Sequence, residues 1–267
     1  MPDSTKADDE HPILNDEARI MKASVARVSR LSPHMAQVTL VSDDFRRMPD
    51  LGPDAFSYIF APRPGEEIPD IDYDFSWDRW REQRPEQRAV GRYYTVRRFR
   101  PGSGEIDFQM LLHETGPLSQ WAAQARPGMR VALWGPRASF ALPSPTLPLV
   151  LAADHSGLPA LASILESLPP AARGHAFVEL DDARDRIEVE TPPGVRLQWL
   201  LRTSESRGDL LVRAVTASEI APPLYAWAGA ENASVNAIRS HLKSIGVPAR
   251  AICAIGYWRE NPAAAAG

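Results

Sequence analysis

Residues 91–100, GRYYTVRRFR, crowd two tyrosines, a threonine and four arginines into one short stretch. Tyrosine, threonine and valine favour a pleated backbone, so Arg92 to Phe99 reads as a strand stopped by Pro101-Gly102-Ser103-Gly104. Alternation along a strand sets Arg92 and Tyr94 on one face, with Tyr93 and Thr95 on the other. A guanidinium beside a phenol suits a ligand that is anionic at one end and flat and aromatic at the other. Arginine grips phosphate as a fork, and tyrosine packs on rings. The alternative is a solvated barrel strand whose arginines keep it soluble. About twenty residues on, Gly116-Pro117-Leu118-Ser119 opens a helix. Its free N–H groups, the helix dipole and the Ser119 hydroxyl form a natural pyrophosphate seat, and Gly116 lets phosphates come close to the backbone. Taken alone, the same string is an ordinary helix cap.

The elements around these residues divide into two textures. From Arg19 onward, IMKASVARVSRLS, MAQVTLVS and FSYIFAP are short strands bounded by turn residues. A charged, proline-bearing loop, residues 62–91, interrupts them. Its Tyr73, Phe75, Trp77 and Trp80 serve either to shield a ligand or to anchor the loop. YYTVRRF, EIDFQMLLH and RPGMRVALWGPRASF complete about six strands with one small helix, which predicts an antiparallel six-stranded barrel. After ALPSPTLP, apolar strands alternate with helices, as in LVLAAD, LPALASILESL, HAFVEL, LYAWAGA, ENASVNAIRSHLKSIG and ARAICAIGYW. That rhythm predicts a Rossmann-like parallel sheet covered on both faces, with a ligand crevice at the carboxyl ends of its strands. The expected organisation is a disordered tail over 1–17, a barrel domain over 18–144, an α/β domain over 145–260 and a tail over 261–267.

Bulk properties narrow the function. The 267 residues suffice for two domains, and 44% hydrophobic with 24% charged residues is the balance of a globular protein with a full core. A net charge of -4 gives no general attraction to nucleic acid or anionic membrane, so neither is expected as a partner. The lone cysteine, Cys253, excludes an internal disulfide, a cysteine zinc site and a cysteine-held iron-sulfur cluster; no His/Cys/carboxylate cluster has metal-ligand spacing. The acidic start has no signal-peptide pattern and no run is apolar enough to span a bilayer, which makes a cytoplasmic protein the expectation.

The segments RYYTVRR, LLHETGPLSQWAAQARPGMRVALWGPR, ADHSGLPALASILESLPPAARGHAFVE and the terminal GYWR resemble the siderophore-interacting protein family, flavin-dependent ferric-siderophore reductases of the ferredoxin-reductase superfamily, over about residues 18–260. The resemblance implies a barrel that binds FAD noncovalently and an NAD(P)H-binding-like second domain. It implies that Arg92 contacts a phosphate, that Tyr93, Tyr94 and Thr95 lie at the isoalloxazine and ribityl groups, and that Leu112 and His113, with Gly116, Pro117, Leu118 and Ser119, wrap the pyrophosphate. Asp154, Ser156 and Trp258 are its counterparts in the second domain, with Thr95 and Asp154 as catalytic residues. The turn Asp154-His155-Ser156-Gly157-Leu158-Pro159 departs from the family's Asp-Glu-Thr/Ser-Ala-Leu/Ile-Pro, through His155 and Gly157. Asp154 either accepts a bond from the cofactor or caps the following helix.

After the second α/β strand, Glu179, Asp181 and Asp182 are the acids that would hold an adenosine ribose, while Arg184 and Arg186 would accept a 2′-phosphate; NADH and NADPH both remain open. Tyr257 and Trp258 either cover a cofactor ring or pack on the sheet. Arg97, Arg98, Arg100, Arg137 and Arg259 are candidates to attract an anionic ferric chelate, with Arg97, Arg137 and Arg259 foremost. The expected activity is reduction of a ferric siderophore with electrons from NAD(P)H through FAD, by a monomer. The alternatives are another acceptor, a ferredoxin donor, or a module that binds ferric chelates without turnover.

Overall fold

The computed structural model describes residues 18–63, 66–113, 116–141, 144 and 146–260; the two expected tails lie outside them. The chain divides into two compact units between Ala138 and Ser139. The first unit is antiparallel. Its strands are β1 (Arg19–Ser32), β2 (Met35–Val41), β3 (Phe56–Ala61), β4 (Val90–Thr95), β5 (Arg98–Arg100), β6 (Glu105–Leu111) and β7 (Arg130–Arg137), in the order β4-β3-β7-β1-β2-β6-β5. Two helices accompany them, α1 (Trp77–Glu82) and α2 (Pro117–Gln124). Alternating residues such as Met21, Val38, Leu40, Ile59, Phe108 and Leu133 fill the interior.

Seven strands stand where six were expected, because the stretch 92–99 is two strands. The Val96 N–H donates to Ala55 O at 2.7 Å, while the next N–H, of Arg97, donates to Asp107 O at 2.8 Å. One margin of the sheet thus hands the chain to the other within a single residue. β4 ends one margin and β5 ends the other, so this covalent continuity curls the sheet into a barrel.

A buried carboxylate secures the seam. Asp107 has a side-chain exposure of 3%, accepts a fork from Arg100 with both distances 2.7 Å, and accepts from the Thr39 hydroxyl at 2.7 Å. Burial alone would raise the carboxyl pKa, but hydrogen bonds from Arg100 and Thr39 and the charges of Arg100 and Arg27 outweigh it and hold it below the ordinary value. Outside the barrel, Phe75 and Trp77 pack on Phe60 and Tyr58, with ring centroids 5.2 and 5.1 Å apart, and Trp77 also meets Trp134 at 5.3 Å. Of the two roles for the loop aromatics, Phe75, Trp77 and Trp80 anchor the loop, whereas Tyr73 is 63% exposed.

The second unit is a parallel sheet. Its elements run β8 (Leu149–Asp154), α3 (Leu158–Ser167), β9 (Arg173–Leu180), β10 (Gly194–Leu201), α4 (Asp209–Thr216), β11 (Tyr225–Glu231), α5 (Asn232–Ser244) and β12 (Ile252–Trp258). The order is β10-β9-β8-β11-β12, and every pairing is parallel. The fully apolar strands are those covered on both faces, with Leu151, Leu161, Ile164, Val178 and Trp227 in the core. Strand order reverses between β8 and β11, so the switch point where such sheets bind ligands lies at the ends of those two strands.

Asp107→Asn takes the fork partner away from Arg100 and is expected to lower the urea-unfolding free energy by about 3 kcal/mol at neutral pH. A carboxyl whose folded pKa lies below its free value contributes fully above the free value and loses that contribution as pH falls through the folded one. The gap between variant and wild type therefore closes below about pH 4. A gap that persists undiminished at about pH 3 would contradict this role for the carboxylate.

Candidate functional site

β4 lies against β3 in a register that sets Arg92 opposite Ile59, Tyr93 opposite Tyr58, Tyr94 opposite Ser57 and Thr95 opposite Phe56. The face assignment read from alternation holds: Tyr94 packs on the barrel core with Ile59, while Tyr93 stands edge-on to Tyr58 and Phe56 on the other face, with centroids 4.9 and 5.5 Å apart. Arg92 is exposed and donates to Gly91 O at 2.7 Å. No carboxylate pairs with it among the described residues. Burial, opposed in part by the charge of Arg92, leaves the Tyr94 hydroxyl raised to about 12, so the ring is a neutral phenol at physiological pH. Thr95 is buried.

α2 packs against β4 and carries the second group of residues to it. Pro117 occupies the first turn, where its missing N–H costs nothing. Gly116 precedes it at φ +113°, in the region that favours glycine, and a Cβ there would come within 2.8 Å of the His113 ring. The Ser119 hydroxyl accepts from the His113 N–H at 2.6 Å and donates to its carbonyl at 2.8 Å. It therefore clasps the loop ahead of the helix and does not project outward. Leu112 and Leu118 are buried beneath this loop.

These residues suit a flavin dinucleotide on three counts. An exposed guanidinium that no carboxylate among the described residues pairs is available to a diphosphate. A half-buried neutral phenol offers a face to a flat ring. The start of α2, entered through Gly116 with Pro117 in its first turn, offers main-chain N–H groups to an anion.

The arginines expected at a chelate part company. Arg97 is only 6% exposed, since the crossing from β4 to β5 turns it into the barrel wall, so it is not placed to meet a chelate. Arg100 is committed to Asp107 and Glu105. Arg137 is half-buried, lies over Phe56 and Trp134 at 5.6 and 5.5 Å, and donates to the Tyr93 hydroxyl at 3.4 Å. Arg98 and Arg259 are exposed.

In the second unit, Asp154 ends β8 at the switch point, and both its carboxylate oxygens are engaged by the protein. One accepts from the N–H and hydroxyl of Ser156, at 2.8 and 2.5 Å, and from the Gly157 N–H at 3.2 Å. The other accepts from the Glu231 N–H at 2.9 Å and the Trp258 indole N–H at 2.7 Å. Asp154, Ser156 and Trp258 do come together, but five donors make Asp154 a clasp that joins the ends of three strands. The helix cap expected of Asp154 is not formed, since its bonds go to the turn ahead of α3 and to neighbouring strand ends and not to the first N–H groups of the helix. Tyr257 packs edge-on to Trp227 at 6.4 Å, in the sheet.

The other two acids near the strand ends are also committed. Glu231 caps α5, accepting from the N–H groups of Ala233 and Ser234 at 2.5 and 3.2 Å. Glu179 caps α4 in the same way, through Gly208 and Leu211. His155 is largely buried, its Nδ1 4.0 Å from the carboxylate of Asp185. Gly157 has a steric cause: a Cβ there would stand 1.9 Å from Gly229 O. Sequence reading missed Arg202 and Arg207, which flank Asp181 at 2.7 and 3.4 Å. No motif marks them, because their partner lies on another strand end.

An antiparallel barrel followed by a parallel sheet of this order is the architecture of ferredoxin-reductase-like flavoenzymes. The ferredoxin reductase of carbazole 1,9a-dioxygenase shares it at a TM-score of 0.65 and 19% identity, over 90% of this chain and 70% of that one. Residues 24–140 match the siderophore-interacting FAD-binding domain, and residues 148–261 match the siderophore-interacting protein model. The chain is 31% identical over 242 residues to the ferric vibriobactin reductase of Vibrio cholerae, covering 88% of each. A siderophore utilization protein from T. fusca superposes at a TM-score of 0.82 and 30% identity, over 93% of this chain and 96% of that one. The chain belongs to the siderophore-interacting protein family.

Gly157→Ala forces a methyl group against the Gly229 carbonyl and is expected to destabilise the protein by about 1–3 kcal/mol, read as a lower thermal midpoint. A variant as stable as wild type would show that the turn and β11 are not in the close contact described.

Proposed function

We infer that this protein is an FAD-dependent ferric-siderophore reductase fed by a reduced nicotinamide nucleotide. The observation that carries the reading is the Arg92–Tyr94 pair, an exposed guanidinium beside a neutral, half-buried phenol on the strand that α2 packs against. The kinship with the ferric vibriobactin reductase supports it, as does 28% identity to the ferric acinetobactin reductase of Acinetobacter baumannii. We assign residues 18–144 to FAD and residues 145–260 to the nucleotide.

FAD, when bound, accepts a hydride and releases electrons singly, which suits it to iron(III). The chain supplies binding and placement. Arg92, steadied by Gly91 O and the Tyr58 hydroxyl, turns its exposed guanidinium to the diphosphate, and the N-terminus of α2 adds main-chain N–H groups. The clasp of Ser119 on His113 keeps that loop in shape. Tyr94 offers its ring to the isoalloxazine. Its hydroxyl, a neutral phenol moved further from ionisation by burial, adds no negative charge beside an electron-rich cofactor. Thr95 follows on the same strand, buried on the opposite face, and helps to fix the strand under the ring. Asp154 keeps the strand ends at the switch point together, so Ser156 and Trp258 stand where a nucleotide enters.

The acceptor is a ferric chelate with hard oxygen donors, a ligand set that holds iron(III) far better than iron(II). Its iron is substrate and leaves as the ferrous ion. On the barrel, Arg98 and Arg137 supply positive charge toward an anionic chelate. No helix among the described residues is long and apolar enough to cross a membrane. We propose a monomer working in the cytoplasm, where the reduced nucleotide is made.

Full-length protein titrated with FAD is expected to take up one flavin, and Arg92→Ala to weaken that binding roughly 10- to 100-fold, the range for a lost charge-assisted bond. With flavin bound, a nicotinamide donor and a panel of ferric catecholates and hydroxamates, a ferrous-specific chelator is expected to trap iron. A chain that takes up no FAD, or traps no iron with any chelate and donor, would overturn the reading.

A further inference from the structure

The Arg92 guanidinium is steadied by a residue that no motif in the sequence marks. Tyr58, on β3, is 2% exposed, and its ring lies across Gly91, so close that a Cβ there would stand 2.2 Å from the ring edge. Glycine at position 91 is what lets a whole phenol ring pass over β4 one residue ahead of Arg92. Tyr93, Phe60 and, from the loop, Trp77 hold the ring in that place, with centroids 4.9, 4.8 and 5.1 Å away. The aromatics that anchor the loop therefore also fix where the Tyr58 hydroxyl ends up.

That hydroxyl accepts a hydrogen bond from the Arg92 guanidinium, which donates to Gly91 O at 2.7 Å as well. Two tethers leave most of a guanidinium's five N–H donors for a ligand. Burial raises the Tyr58 hydroxyl against the opposing charge and hydrogen bond of Arg92, so it meets the guanidinium as a neutral phenol. A carboxylate in its place would cancel the charge that draws a diphosphate, whereas a phenol orients the arginine and leaves its charge whole. A long side chain loses rotamer freedom when it grips a ligand, and a tether already formed lowers that cost.

We propose that Tyr58 is a positioning residue for the flavin dinucleotide: its buried hydroxyl, reaching past Gly91, presets the Arg92 guanidinium for the diphosphate. The proposal rests on the reading of Arg92 as a ligand of the FAD diphosphate, and it gives Tyr58 no contact with the cofactor.

Fluorescence titration of the full-length protein with FAD, and with riboflavin, which has no phosphate, tests it in wild type, Tyr58→Phe, Arg92→Ala and the double variant. Tyr58→Phe keeps the ring and its packing and removes only the hydroxyl. It is expected to weaken FAD binding roughly 3- to 10-fold, the range for one lost hydrogen bond, and to leave riboflavin affinity within about twofold of wild type. In the Arg92→Ala background the same substitution is expected to change FAD affinity by less than about twofold, because the group it positions is gone. Circular dichroism establishes that the variants are folded. Three results would overturn the proposal while leaving FAD binding in place: Tyr58→Phe with wild-type affinity for FAD, equal losses for FAD and riboflavin, or the same loss with and without Arg92. A wild type that takes up no FAD would overturn both this proposal and the reductase reading.

Discussion

The barrel depends on one buried carboxylate. Asp107 ties Arg100 on β5 and Thr39 on β2 to its own strand, at the margin where the chain arrives after leaving β4. Consecutive N–H groups of Val96 and Arg97 bond to opposite margins of the sheet, so closure happens within the stretch that carries the site. The orientation of Arg92, Tyr94 and Thr95 follows from that crossing. A strand free to slide by one residue would exchange its faces and bury the guanidinium. Breaking this pair costs more than the pair itself contributes, because the Asp107 charge would be left buried without a partner. Here its double hydrogen bond and the third donor from Thr39 leave few alternative arrangements.

The α/β unit uses the same device at its switch point. Asp154 engages five donors from three strand ends, and Gly157 lets the turn after β8 come within touching distance of β11. Acids with the right position for catalysis or ribose binding are thus absorbed by the scaffold. Glu179 and Glu231 cap helices, and Asp154 joins strands. Site chemistry and scaffold electrostatics are one arrangement in this unit.

Much of this was legible in the chain. Alternation alone put Arg92 and Tyr94 on one face, and the change from alternating to fully apolar strands located the two units. The glycine-proline step before Leu118 announced α2. What escaped were features set by partners distant in sequence. The division of 92–99 into two strands depends on Ala55 and Asp107, which no local pattern near Val96 reveals. The burial of Arg97 follows from the same crossing. Loop aromatics looked equally fit to shield a ligand or to anchor, and only their contacts with Tyr58, Phe60 and Trp134 decide. A short helix in that loop, Trp77–Glu82, also went unread because its apolar residues number too few to show a period.

The central claim is that electrons pass from a nicotinamide nucleotide to a chelated ferric ion through a flavin held by this chain. Anaerobic mixing followed by its visible spectrum tests it most directly. Reduced nucleotide should bleach the bound flavin's absorbance, and a ferric siderophore added next should restore it while two ferrous ions form for each flavin. A spectrum that the nucleotide leaves unchanged, or a bleached flavin that no ferric siderophore reoxidises, would contradict the account.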